Sequence, residues 1–263
     1  DYTRLEAAMT PRTKAVIPVS LFGNPLDHDR LRAIKEKHGI IVIEDAACSI
    51  GASYGGRKVG GLADISVFSL HPRKFITTGE GGVVTTLNAE WARWMESYKH
   101  FGMSAGADRG QFVFSMIGTN YKLSNIQAAV GVVQMRHIDE LLKRRRELAG
   151  RYLERLSGCP GLTLPRTTPG GTHSYQSFCV LVGNRDCVMA RMREKGVEAQ
   201  IGSYALHAQP AYAGNPNCRM AGDMRGSRHV FEHCLALPLY HDLSLADQDV
   251  VIHELREALA SGQ

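Results

Sequence analysis

Hydrophobic and polar positions divide the first half of the chain into short apolar runs and longer stretches with helical spacing. The runs at residues 14–20 (KAVIPVS) and 40–47 (IIVIEDAA) predict buried strands. Between them, residues 28–39 place Leu31 and Ile34 on one side and charges on the other, and they end in glycine, which predicts an amphipathic helix. This order predicts an α/β fold, with a mostly parallel sheet and crossover helices.

The alternation continues to about residue 157. Residues 64–70 (DISVFSL) and 83–86 (VVTT) predict two more strands, and residues 89–99 predict a helix. Residues 123–156 predict a long helical stretch, either continuous or broken. The first half therefore supplies the elements of one large sheet domain.

Proline and glycine turns follow Ser157, so we predict a domain boundary there, with a large domain over 1–157 and a smaller C-terminal α/β domain over 158–263. The elements predicted for the second domain are a strand at 175–182, a helix at 185–196, a strand at 197–201 and a last helix that opens with a capping box at Ser244 and Asp247.

The composition favours a globular protein and gives no sign of nucleic-acid binding, a zinc site or a membrane span. The 263 residues are 44% hydrophobic and 22% charged, with a formal net charge of +5, as in an ordinary globular protein. The one dense basic run, residues 143–146 (KRRR), lies in a helical pattern and favours a solvated helix face over a nucleic-acid site. The six cysteines show no disulfide or zinc spacing, and no membrane span or signal peptide is visible, so we expect a cytoplasmic protein.

Three candidate functional residues lie at the ends of predicted strands or just beyond them. Asp45 and Ser69 end two strands, and Lys74 comes five residues after Ser69, in the segment HPRKFITTGEGG. Because ligands of open parallel sheets bind beyond the carboxyl ends of the strands, these side chains are expected on one rim. A carboxylate, a hydroxyl and a lysine in that place suit pyridoxal phosphate.

Lys74 has three interpretations: a surface charge, an electrostatic clamp on a phosphate, or a nucleophile. Exposed lysines are the commonest kind, but a buried strand precedes Lys74 and a glycine turn follows it. A lysine that forms a Schiff base has to be partly desolvated or near other positive charge.

The segment VIEDAACSIGASYGGRKVGGLADISVFSLHPRKFITTGEGG resembles the pyridoxal-phosphate-dependent sugar aminotransferases of the DegT/DnrJ/StrS type, which have the aspartate aminotransferase fold (fold type I). The resemblance continues through GTNYKLSNIQAAVGVVQ (residues 118–134) and, more loosely, to the C-terminus. It implies that residues 1–157 form a cofactor-binding domain. It also implies that about the first third of the family's chain, with a Gly-Thr-Ala loop and a ring-stacking aromatic residue, is missing.

The resemblance implies a role for each matching residue. Lys74 matches the Schiff-base lysine, Asp45 the partner of the pyridine nitrogen, and Ser69 a phosphate ligand. Asn120 resembles an asparagine that reaches the phosphate of the neighbouring subunit in a homodimer with shared sites; the alternative is that it caps the helix starting near Leu123. His207 lies where the family has a substrate-side segment, and an ordinary turn histidine is the alternative.

Two positions depart from the family pattern. Cys48 stands where many relatives have a glutamine that touches the phenolic oxygen of the cofactor, and a thiol is the weaker donor. Lys122 replaces the usual arginine after Asn-Tyr.

The function that the resemblance implies is transfer of an amino group, from L-glutamate, to a keto group of a nucleotide-linked sugar. Lys74 favours this over dehydration, since the related dehydratases have histidine there. An aminotransferase of a cyclitol or other keto substrate, or a truncated, non-catalytic or regulatory member of the family, are the alternatives. A dinucleotide-binding domain is disfavoured because no G-x-G-x-x-G opens a helix after the first strand.

Overall fold

The computed structural model describes residues 1–105 and 111–261. The eight α-helices of these residues are α1 (Tyr2–Ala7), α2 (His28–His38), α3 (Ala89–Lys99), α4 (Asn125–Arg136), α5 (Ile138–Arg155), α6 (Arg185–Glu194), α7 (Arg225–His233) and α8 (Leu245–Ala260). The strands are β1 (Ala15–Val16), β2 (Ile41–Asp45), β3 (Ser53–Tyr54), β4 (Arg57–Lys58), β5 (Ile65–Ser69), β6 (Gly82–Thr86), β7 (Met103–Ala105), β8 (Phe112–Phe114), β9 (Leu162–Thr163), β10 (Gly171–Thr172), β11 (Phe178–Val182), β12 (Gln200–Ile201) and β13 (Cys234–Leu237).

The described residues divide into two compact units, and the division differs from the predicted boundary near residue 157. One unit is Asp1–Asp139 with Thr168–His173, and the other is Glu140–Thr167 with Ser174–Gln263. Helix α5 lies within the predicted large domain but packs its apolar face into the core of the second unit, so the division falls in its first turn, between Asp139 and Glu140. Strand β10 pairs with β3 of the first unit. The roles given to the two domains stay predictions.

The four-stranded sheet of the first unit has the strand order β1-β2-β5-β6. Strands β1, β2 and β5 are parallel neighbours, and β6 is antiparallel to β5, which confirms the mostly parallel α/β prediction. Helix α2 makes the predicted crossover between β1 and β2. Asp27 caps its start, accepting the Arg30 N–H at 3.0 Å, and Gly39 ends it at a φ of 63°, a conformation that glycine adopts without strain.

The sheet of the second unit is antiparallel, in the order β12-β13-β11-β9. Its core joins β11 and β13 to one face each of α5, α6 and α8. The predicted last helix begins where expected, because the Ser244 side chain accepts the Asp247 N–H at 3.0 Å. No helix in the described parts of the chain combines the length and apolarity needed to cross a membrane.

The long helical stretch is broken at His137, between α4 and α5. The interpretation of residues 143–146 as a solvated face is wrong for Arg145, which is 6% exposed. Its guanidinium donates to the carbonyls of Tyr175, Gln176 and Leu239 at 3.0 to 3.4 Å. The sequence reasoning also missed helix α7 and the antiparallel pair of β7 and β8.

Candidate active site

Asp45 is the last residue of β2, and three hydrogen bonds fix it at the strand end. Its N–H donates to the Pro18 carbonyl at 2.9 Å, and its carbonyl accepts the Ser20 N–H at 3.0 Å. Its side-chain Oδ1 accepts the Ala47 N–H at 3.0 Å. A carboxylate is therefore held at the carboxyl edge of the parallel strands, half-buried.

Ser69 is the last residue of β5, at the same edge of the sheet. In the parallel register Asp45 lies opposite Val67, so Ser69 is only two residues further along the neighbouring strand. Its Oγ accepts the His71 N–H at 3.3 Å, as a serine at the start of a turn commonly does.

Lys74 lies in the loop that leaves β5, and its ammonium points back to the loop that leaves β2. Its Nζ donates to Cys48 Sγ at 3.1 Å, and its N–H donates to the His71 carbonyl at 2.9 Å. The side chain is half-buried, which disfavours the interpretation as an ordinary surface charge. The structure thus joins two predicted site residues, Lys74 and Cys48, across adjacent strand ends.

The glycine turn after Lys74 needs its glycines for its own packing. Gly81 has a φ of 149°, and a Cβ there would lie 2.8 Å from Thr78 Oγ1 and 2.9 Å from Leu123 Cδ1. A Cβ on Gly82 would lie 2.9 Å from the Phe68 carbonyl oxygen. The packing of the turn against the protein therefore requires these glycines, independently of any ligand.

Asn120 is exposed and forms an isolated antiparallel bridge with His100. Its Oδ1 accepts the Lys122 N–H at 3.4 Å. The helix-cap interpretation of Asn120 is wrong, because Ser124 caps α4 in a capping box with Gln127. Lys122 places its ammonium 4.0 Å from the centre of the Phe101 ring, a cation–π contact.

His207 belongs to the second unit, on the short 3-10 turn Leu206–Ala208. It is half-buried, and its Nε2 is buried without a hydrogen-bond partner in the described residues. Such an atom is costly to leave unsatisfied.

A buried polar network beneath Asp45 was missed by the sequence reasoning. Glu44 is fully buried, and both of its carboxylate oxygens accept hydroxyl hydrogen bonds, one from Ser20 and one from Ser66 at 3.3 Å. His28 Nε2 lies 3.7 Å from Glu44 Oε1. Strand alternation directs Glu44 to the opposite face from Asp45. An acid inside an apolar strand, followed by a second acid, is the sequence signal for this network.

Burial dominates the electrostatics of this network. Desolvation raises the pKa of Glu44, while the two hydroxyl donors oppose the rise. Desolvation also lowers the pKa of His28 to about 4, so this histidine is neutral at physiological pH.

A separate cavity of about 750 Å³ lies in the first unit, between α2 and the start of α3, and none of the six predicted site residues lines it. Its charges largely satisfy one another, as Lys35 pairs with Asp64 at 2.5 Å and Arg32 with Asp29 at 2.6 Å.

The side chains at the strand rim fit pyridoxal phosphate. The cofactor needs an amine, an acid for its pyridine nitrogen, and hydroxyl or amide donors for its phosphate. Lys74, Asp45 and Ser69 supply these three groups from two adjacent strand ends, and the half-buried Lys74 contacts a thiol rather than a carboxylate that would hold it as a salt bridge.

The fold and this set of groups define a pyridoxal-phosphate-dependent enzyme of the aminotransferase class. The chain belongs to the DegT/DnrJ/EryC1/StrS aminotransferase family, whose model matches residues 1–256. The members of this family are sugar aminotransferases that depend on pyridoxal phosphate.

Similar proteins have related activities. GDP-perosamine synthase of Caulobacter vibrioides is 35% identical over 269 residues, a match covering 98% of this chain and 70% of that protein. The dTDP-3-amino-3,4,6-trideoxy-alpha-D-glucose transaminase of Streptomyces venezuelae is 34% identical, over 98% of this chain and 66% of its own length.

Solved structures show the same fold. The aminotransferase TlmJ from Streptoalloteichus hindustanus superposes with a TM-score of 0.90 at 30% identity, covering 99% of this chain and 69% of that one. S. venezuelae DesV, solved in complex with a ketimine intermediate, superposes with a TM-score of 0.89 at 33% identity, covering 98% of this chain and 68% of that one.

Proposed function

We propose that this aminotransferase moves an amino group from L-glutamate to a keto group of a nucleotide-linked sugar. The observation that carries the proposal is the half-buried Lys74 ammonium, 3.1 Å from Cys48 Sγ on the rim that also holds Asp45. The names of two relatives, a GDP-perosamine synthase and a dTDP-aminosugar transaminase, support a nucleotide-linked substrate.

When bound, pyridoxal phosphate supplies an electron sink for the negative charge that forms as the amino-acid α-proton leaves. Lys74 would hold the cofactor through its Nζ, and its free amine would move that proton as a general base. Asp45 would keep the pyridine nitrogen protonated, and the hydrogen bond that it accepts from the Ala47 N–H orients its carboxylate. Ser69 binds the phosphate through its hydroxyl.

Cys48 has two neighbours in this scheme. Its thiol contacts Lys74 Nζ, and it would be the group at the family's phenolic-oxygen position when the cofactor binds. Because a thiol is a weak donor, its bond to that oxygen would be weaker than the bond of an amide.

Two further residues have proposed roles. Asn120 is exposed and does not cap a helix, so its amide group is available to reach the cofactor phosphate of a second copy in a homodimer. His207 is proposed as a substrate ligand, because it lies in a segment that resembles the substrate-side segment of the family. A cyclitol or another keto compound would use the same groups.

The test uses protein expressed from its complete reading frame and loaded with pyridoxal phosphate. L-glutamate should convert the visible absorbance of the bound cofactor to that of its amine form, and a nucleotide-linked keto sugar should restore it. Lys74→Ala is the control that should do neither. A cofactor band that no amino donor changes would instead indicate a non-catalytic or regulatory protein, and a band restored only by a free cyclitol ketone would change the substrate class.

A further inference from the structure

Helix α4 presents two side-chain amides to the turn that follows Lys74. Gln127, Gly131 and Gln134 are four and three residues apart, so they share one face of the helix. Gln134 Oε1 accepts the Thr77 N–H at 2.9 Å, and Gln127 Nε2 donates to the Glu80 carbonyl at 2.8 Å. The two amides therefore bind the turn at both of its ends.

Gly131 lies between the two amides and lets the helix approach closely. A Cβ at this position would lie 3.0 Å from Thr78 Cγ2, tighter than ordinary van der Waals contact. The helix backbone thus packs directly on the Thr78 methyl group, and side chains on either side supply the hydrogen bonds.

Gln127 is fixed in place by the helix cap. Its Oε1 accepts the Ser124 hydroxyl at 2.9 Å, and its own N–H donates to Ser124 Oγ at 3.3 Å. With the amide oxygen engaged at the cap, the amide nitrogen is directed to the Glu80 carbonyl. The capping box therefore orients the group that binds the turn.

The loop that carries Lys74 is tied at its base as well. Leu70 donates its N–H to the Gly81 carbonyl at 2.9 Å, and the Leu70 carbonyl accepts the Thr77 hydroxyl at 2.9 Å and the Thr78 N–H at 3.1 Å. Lys74 lies between Leu70 and Thr77. The hydrogen bond that Thr77 donates to Gln134 therefore holds the C-terminal end of the segment that carries Lys74.

We propose that Gln134, with Gln127 and Gly131, positions Lys74 for its reaction with the cofactor. Gln134 is a positioning residue, because it acts through the Thr77 backbone and does not touch Lys74. The inference rests on the proposed function, in which Lys74 is the cofactor lysine.

The test compares Gln134→Leu, which removes the acceptor of the Thr77 N–H, with Gln134→Glu, which keeps an oxygen in its place. Arg136→Leu is the matched control, since it puts the same leucine on the exposed part of α4. Gly131→Ala is a second, independent variant. Alanine has the higher helix propensity, but its Cβ would contact the Thr78 methyl group too closely. Amide hydrogen exchange of Thr77 reports the contact. The cofactor dissociation constant and the apparent pKa of its visible absorbance report the position of Lys74.

We expect Gln134→Leu to speed Thr77 exchange and weaken cofactor binding by a factor of roughly two to ten, the usual range for one hydrogen bond. Gly131→Ala should weaken cofactor binding, Gln134→Glu should restore it, and Arg136→Leu should match wild type. The apparent pKa of the cofactor absorbance should move in Gln134→Leu and Gly131→Ala only.

Faster Thr77 exchange with unchanged cofactor binding and absorbance would overturn the inference, because the contact would then be only structural. Unchanged exchange and cofactor behaviour in folded Gln134→Leu and Gly131→Ala would overturn it too. Borohydride labelling of wild type separates the two proposals. A label on a lysine other than Lys74 defeats the proposed function, whereas a label on Lys74 with wild-type behaviour of the variants defeats only the positioning role.

Discussion

Asp45 has the most fully specified environment of the proposed cofactor residues, since its N–H, its carbonyl and its side chain are all hydrogen-bonded. We predict that Asp45→Ala leaves the cofactor loosely bound and lowers transamination by roughly a hundredfold or more, because it removes the charge paired with the pyridine nitrogen. Equilibrium dialysis and steady-state turnover measure the two effects. Asp45→Asn keeps an acceptor for the Ala47 N–H, so it should fold like wild type but lose comparable turnover. Wild-type turnover in either variant would rule the role out.

His28 should make the first unit sensitive to acid. Its pKa in the folded protein, about 4, lies below the ordinary 6.5. As the pH falls from 6.5 to 4, the unfolded chain therefore takes up a proton that the folded chain does not, and the free energy of unfolding falls by at most roughly 3 kcal/mol. Above pH 6.5 this contribution is fully present. Glu44 acts in the opposite sense, since its raised pKa removes stability as the pH rises.

Urea unfolding at pH 7 and pH 4.5 tests this, with His28→Gln as the variant. The charged and ionisable side chains around His28 are Asp27, Asp29, Arg57, Glu44 and Tyr54. His28→Gln leaves these groups in place, so it should lose less stability on acidification than wild type does. His253→Gln, an exposed histidine of the second unit, should behave like wild type. Equal losses in all three proteins would contradict the assignment.

At the scale of residues, the sequence predicts which groups are at the strand ends but not what they touch. Strand length and the position of the acids suffice to place Asp45 and Ser69, because parallel strands end at one edge. The contact of Lys74 with Cys48 depends on two loop conformations, which propensity does not determine. The Glu44 network was missed because a buried acid is uncommon and its hydroxyl donors come from other elements.

At the scale of elements, helix α5 shows that one residue of a basic run, Arg145, can be buried and stabilise the fold. Burial lowers the pKa of Arg145 to about 10, which still leaves its guanidinium charged at neutral pH. We predict that Arg145→Met lowers the free energy of unfolding by about 2 to 4 kcal/mol, because the carbonyls of Tyr175, Gln176 and Leu239 lose their donor. Lys143→Met, on the exposed side of the same helix, should stay within about 0.5 kcal/mol. Urea denaturation checks both, and equal costs would contradict the structural role.

Elements with strong local signals were predictable, and those that depend on partners were not. Helix α3 matches residues 89–99, and Gly39 ends α2 as predicted, because caps and apolar spacing are local signals. The antiparallel pair of β7 and β8 and helix α7 lack such signals. The compact units divide at residues 139 and 140, because this division depends on where α5 buries its apolar face, which is not a local signal.

At the scale of the whole molecule, the proposed sharing of sites between two copies can be tested by mixing variants. Lys74→Ala and Asn120→Ala are combined under conditions that exchange subunits. If Asn120 serves the partner's site, half of the dimers are mixed and each holds one intact site in two, so activity should recover to about a quarter of wild type. Mixing Lys74→Ala with Asp45→Ala is the matched control. It should give no recovery, because Lys74 and Asp45 both serve the site of their own subunit, and each site of a mixed dimer therefore keeps one defect. No recovery in the first mixture, despite proven exchange, would mean that each subunit completes its own site.

The central claim is that Lys74 carries the cofactor, and the most direct test is chemical. Protein loaded with pyridoxal phosphate is reduced with borohydride, digested and mapped by mass spectrometry. We predict that the cofactor mass is found on the peptide containing Lys74 and is lost in Lys74→Arg. A stable label on Lys58, Lys122 or any other lysine, with Lys74 unmodified, would contradict the claim.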